Sequence, residues 1–133
     1  MADRPVSELS DMLAGMQPML RERPFRFVPH GPDDDFIDLL GTMFAFIRED
    51  EGVTLIIRAK EDHPGPLFAC ITLQVHSDLE GVGLTAVVST ALAEVGIACN
   101  VVAGFHHDHL FVPWERRDQA QSILKSLSEA ARR

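Results

Sequence analysis

Between Ser77 and Val101 the chain gathers residues suited to hold a small charged molecule. Ser77, Asp78, Leu79, Glu80, Gly81, Val82 and Gly83 lie between an alternating apolar stretch and a helical one. Asn100 and Val101 open the next strand-like stretch. Free N–H groups and the dipole at a helix start favour a carboxylate. Glycine lets a ligand approach the backbone closely. Asp78 has the charge to pair with an ammonium, and the Asn100 amide both donates and accepts. Each residue also has a structural rival. Ser77 and Glu80 are spaced as a capping box, in which serine and glutamate satisfy each other's backbone donors. Asp78 gains simply from sitting in a helix's first turn, Gly81 and Gly83 from close packing, and Asn100 from satisfying a neighbouring backbone. Glu80 opposes an incoming carboxylate.

Other reactive side chains make weaker patterns. His106, His107, Asp108 and His109 run consecutively, and His107 and His109 share a face of a regular strand. A catalytic zinc needs at least three ligands and a structural one four. No CxxC or HExxH accompanies these histidines, so a polar hairpin turn explains them better and no metal is expected. His30, His63 and His76 are isolated. Asp33, Asp34 and Asp35 read as a solvated loop, since the glycine and distal glutamate of a calcium loop are missing. Trp114 reads as core. Cys70 and Cys99 each lie in an apolar run and read as buried, reduced thiols. No nucleophile elbow or phosphate-cradling loop is present. The chain is therefore expected to be no enzyme and to need no cofactor.

The elements that must position the turn follow from periodicity. Ile71, Leu73 and Val75 alternate with polar residues, as in a half-buried strand. Leu84, Val88, Ala91, Leu92 and Val95 recur at helical spacing, and Gly96 suits a left-handed cap. Ile97 to Phe105 and His109 to Pro113 read as strands. Ala120, Ile123, Leu124 and Leu127 predict a final amphipathic helix. Upstream, Leu9, Met12, Leu13 and Met16 predict a short helix, and Phe25 to Val28 a strand. Met43 to Ile47 and Val53 to Ile57 predict a hairpin turned by Arg48 to Gly52. His63-Pro64-Gly65-Pro66 divides the chain, because it continues neither a helix nor an inner strand.

The stretch HSDLEGVGLTAVVSTALAEVGIACNVVAG resembles the ACT domain family. LAGMQPML and REDEGVTLII are similar to the N-terminal part of its small two-half bacterial members. The resemblance implies an α+β chain of ferredoxin-like (βαββαβ) fold, with antiparallel sheets, helices on one face and two ACT-like halves in tandem. The halves would be 1–65, with an incomplete pattern, and 66–133. It also implies a regulatory or sensor protein that binds an amino acid at the strand–helix turn or a module interface. Carried over, the ligand residues are Ser77, Asp78, Leu79, Gly81, Val82, Gly83, Asn100 and Val101. A homo-oligomer is expected; the rival is an oligomerisation or protein-interaction module with no small ligand. The C-terminal half stops at strand, helix, strand, strand, helix. Its fourth strand must come from the other half or from another chain.

Composition agrees. With 20 acidic against 12 basic residues the net charge is −8, which repels phosphate backbones and argues against nucleic acid. No run is apolar enough to span a membrane, and the N-terminus lacks signal-peptide order. A cytoplasmic protein is expected.

Overall fold

A computed structural model of the chain describes residues 4–31 and 33–133. Residues 1–3 of the N-terminal stretch and Pro32 of the acidic loop lie outside the described residues. In chain order the elements are α1 (Leu9–Ala14), β1 (Pro18–Leu20), β2 (Phe25–His30), β3 (Met43–Glu49), β4 (Gly52–Arg58) and β5 (Phe68–Leu73). There follow α2 (Leu84–Glu94), β6 (Asn100–Ala103), β7 (Asp108–Pro113) and α3 (Arg117–Arg132). Two compact units form, one from residues up to Arg21 together with Ala69–Arg133, the other from Glu22–Phe68.

The Glu22–Phe68 unit is an antiparallel sheet in the order β3-β4-β2. The predicted hairpin is present and longer than expected, with Glu49 opposite Gly52 across the turn. Gly52 is required there, because an added Cβ would collide with the His30 carbonyl. Phe25 meets Phe44 edge-on at 5.4 Å between ring centroids, and Phe27 meets Phe68 at 5.2 Å. Ile37–Thr42 forms a 3-10 turn that hydrophobic periodicity did not predict.

In the other unit the sheet order is β1-β5-β7-β6. β1 pairs antiparallel with β5, Pro18 opposite Leu73 and Leu20 opposite Ile71. The missing fourth strand therefore comes from the chain's own N-terminal segment. Pro18 is tolerated because β1 is an edge strand, where a lost donor breaks no inner ladder. Periodicity could not show a three-residue strand.

The core lies on the sheet face that carries Ala69, Ile71, Leu73, Leu110 and Val112. Alternate residues of β5 and β7 point there, as the period of two dictates. Leu84, Val88 and Leu92 of α2, Ala120 and Leu124 of α3, and Met12 of α1 pack onto it. The predicted stripes hold in substance, but Val95 is exposed and Ser128 is buried instead. Thr72 and Cys70, on the opposite face of β5, are buried as well. β5 is therefore not the half-exposed strand its alternation suggests.

Helix α2 ends as its sequence predicts. The Gly96 amide donates to the Ala93 carbonyl at 3.0 Å and the Ile97 amide to the Leu92 carbonyl at 2.9 Å. These are the two bonds of a Schellman cap. Gly96 has φ 75°, and no atom lies within 4 Å of an added Cβ. Backbone strain alone should then set the cost of Gly96→Ala, about 1–2 kcal/mol by urea denaturation.

The start of α2 differs from expectation. Its N-cap is Gly83 at φ 108°, with no side-chain cap, and the helix begins at Leu84. Ser77 and Glu80 form no capping box. The Ser77 hydroxyl donates to Asp108 Oδ2 at 3.2 Å, and the Glu80 amide donates to Asp78 Oδ1 at 2.9 Å. Asp78 thus closes a local turn with its own side chain, an alternative that aspartate readily offers the backbone. The polar residues delay the helix rather than start it.

Candidate ligand-binding site

The turn from β5 to α2 is pinned by the N-terminal segment. The Val6 amide donates to the His76 carbonyl at 2.7 Å and the Asp78 amide to the Val6 carbonyl at 2.8 Å. Val6 and Ser77 form an isolated parallel bridge. Two glycines then let α1 lie close. A Cβ on Gly81 would reach Met12 Sδ at 3.1 Å, and one on Gly83 would reach Leu9 at 3.1 Å.

A cleft of about 150 Å³ opens beside this turn. Ser77, Asp78, Leu79, Gly81 and Gly83 line it, as do Leu84 and Thr85 at the start of α2 and Asp108 at the start of β7. Five of the eight expected residues are therefore brought together. Val82 is 82% exposed and does not line the cleft.

Asn100 and Val101 lie elsewhere. α2 carries the chain away from the turn, and β6 returns towards it. Asn100 opens β6 opposite Phe111, whereas Ala103 closes it opposite Asp108. Ala103 is three residue steps along the strand from Asn100, roughly 10 Å. Ala103, not Asn100, lines the cleft.

Sequence reasoning missed Asp108, which it placed in a polar turn. The signal was a carboxylate at the start of the strand that returns to the helix start. Asp78 and Asp108 give the lining two carboxylates and no basic side chain. The opposing positive potential comes from the uncapped amides of α2. Such a cleft offers separate places to an ammonium and a carboxylate.

The neighbouring histidines have structural partners. His109 Nδ1 lies 2.9 Å from the Thr72 hydroxyl, and His107 Nδ1 lies 3.4 Å from the Val75 carbonyl. Among the described residues no group of three or more His, Cys, Asp or Glu is placed to hold a metal. Burial lowers the His109 pKa, with Arg21 and His107 adding to the effect against a smaller pull from Asp108. A neutral imidazole favoured in the folded state stabilises the protein fully above the ordinary value of 6.5. That contribution is lost as pH falls below 6.5 towards the lower folded value. His109→Gln should flatten the decline in stability below about pH 6.5, read by urea denaturation at stepped pH.

Both cysteines are free thiols. Burial raises the Cys70 pKa, the Thr72 contact and Arg21 opposing it. Burial pushes Cys99 up to about 11, so neither is a reactive thiolate at neutral pH. No helix among the described residues is long and apolar enough to cross a membrane.

Comparison with known proteins agrees with this architecture. ACT domain models match residues 68–126 and residues 4–63. The chain belongs to the ACT domain family, with two ACT-type domains in tandem and an α+β, ferredoxin-like fold. ACT domains are typically regulatory modules that bind small ligands. A solved Vibrio cholerae protein of unknown function, described as a possible transport protein, is 40% identical. That match covers 86% of this chain and 91% of that one, with a TM-score of 0.72. An Agrobacterium tumefaciens protein shares the fold at 18% identity and a TM-score of 0.66, over 84% of this chain and 87% of that one. No curated protein matches.

Proposed function

We propose that the chain is a non-catalytic regulatory or sensor protein of the cytoplasm that binds an amino acid at the β5–α2 turn. The division at residues 65 and 66 belongs to the same proposal, as a boundary between family modules rather than between units that fold alone. One observation carries the reading: the cleft sets the carboxylates of Asp78 and Asp108 beside the uncapped start of α2. An α-ammonium suits the first and an α-carboxylate the second. Ser77, Leu79, Gly81 and Gly83 shape the walls, and Val82 lies outside the lining at the turn. Asn100 and Val101 enter the site only through a module interface, which the homo-oligomer expectation would supply. β6 pairs with β7 alone among the described strands, which leaves one edge for such an assembly.

Regulation then follows from differential affinity, because a ligand shifts an equilibrium only towards the state it binds more tightly. Calorimetric titration with the twenty amino acids tests the reading. A saturable heat for one of them supports it. Silence throughout the millimolar range, with an oligomer still present by light scattering, favours the pure interaction module.

A further inference from the structure

A second cavity, of about 380 Å³, lies where the end of α3 passes the entrance to β1 and the exit of β5. Its lining includes Gln17, Gln74, Lys125, Glu129 and Arg132, and shares no residue with the turn cleft. Arg132 is already anchored. Its Nη1 donates to the Ala14 carbonyl at 2.9 Å and to the Ser128 hydroxyl oxygen at 2.9 Å. Ser128, only 2% exposed, donates to the same carbonyl at 3.1 Å.

Those two bonds use both hydrogens of Nη1. The Nε–H and Nη2–H groups make no hydrogen bond among the described residues. Together they are the side-on fork of a guanidinium, which matches a carboxylate bidentately. A fork held in place before a ligand arrives loses less freedom on binding.

The surrounding charges narrow the ligand. Lys125, two turns earlier on α3, has no partner among the described residues and adds a second positive charge. The carbonyl end of α3 disfavours an anion, and the two cations offset it. Glu129 lies between them in sequence, and the described residues contain no ion pair to it. A simple anion would face that carboxylate with nothing to satisfy it. Gln17, on the same rim, is the only described non-glycine residue with positive φ, at 44°. Strained backbone of this kind clusters at ligand clamps.

We propose that this cavity is a second ligand site, for a small molecule carrying both a carboxylate and a hydroxyl or amine donor. The carboxylate sits on the Arg132 fork beside Lys125, and the donor faces Glu129. Amide NMR spectra of the full chain test it, recorded at constant ionic strength during titration with malate, succinate, succinamide or phosphate. Malate should shift the amides of residues 17, 19, 74 and 125–132 saturably. Succinate should bind more weakly, and succinamide not at all.

Arg132→Lys keeps the charge but removes the fork, and should weaken malate roughly tenfold. Lys125→Glu, at an exposed position that bonds nothing, should abolish binding and keeps the test decisive if Arg132→Lys fails to fold. Glu129→Ala, which leaves no acceptor at that position, should erase the advantage of malate over succinate. Absence of saturable shifts with malate at roughly 20 mM, beyond the range of weak small-ligand sites, overturns the proposal. So does equal binding of succinamide or phosphate, or unchanged binding in folded Lys125→Glu.

Discussion

A fragment of residues 66–133 is expected not to fold on its own, although it holds a full family match at 68–126. Its sheet would lack β1, which pairs with β5 from Pro18 to Leu20. Its core would lack Met12 and Met16, exposed by 1% and 0%. Truncating one buried methionine costs about 2–5 kcal/mol. Two such losses consume much of the roughly 5–15 kcal/mol that holds a domain together. The β5–α2 turn would also lose the Val6 bonds that pin it. Joining residues 4–21 after Arg133 through a flexible Gly/Ser linker should restore folding. Far-UV circular dichroism during urea titration distinguishes the two chains. The permuted chain should unfold in one cooperative step, and the fragment should show no transition. A cooperative transition in the fragment would show that β1 and the two methionines are dispensable.

Much of this architecture was legible in the residues because burial leaves a period. Leu84, Val88 and Leu92 repeat at helical spacing and are all buried. Gly96 marked the end of α2 because only glycine takes the left-handed cap without cost. The start of α2 was misread for a physical reason. Ser77, Asp78 and Glu80 offer the backbone several local bonds, and the bonds that form are to Asp108 and within the turn. Which of them forms depends on β7, thirty-one residues further along the chain from Ser77. β1 was invisible because three residues carry no measurable period, and its partner lies more than fifty residues away. Asn100 was joined to the turn by the family resemblance, which sets the opening of the next strand against it. Direction fixes which end of β6 reaches the site, and Ala103 holds that end.

The same geometry gives the second prediction its force. Asp108→Asn should weaken amino-acid binding by roughly ten- to a hundredfold, the equivalent of one charged hydrogen bond. The substitution preserves size, and the new amide oxygen still accepts from Ser77, whose hydroxyl lies 3.2 Å from Asp108 Oδ2. Stability should therefore change by less than about 1 kcal/mol, because a neutral hydrogen bond remains in place. Asp108→Ala removes the acceptor too. It should lose both affinity and about 1 kcal/mol of stability. Asp78→Asn serves as the comparison. Its Oδ1 accepts from the Glu80 amide at 2.9 Å, a shorter bond than the 3.2 Å one from Ser77 to Asp108, so its charge is the more occupied and its loss should matter less. Calorimetric titration with the responding amino acid and urea denaturation of the same samples separate the two effects. Wild-type affinity in a folded Asp108→Asn variant would remove Asp108 from recognition and leave Asp78 as the ammonium partner. Loss of affinity in that variant at unchanged stability would place the ammonium against β7, at the corner where the returning strand meets the uncapped helix.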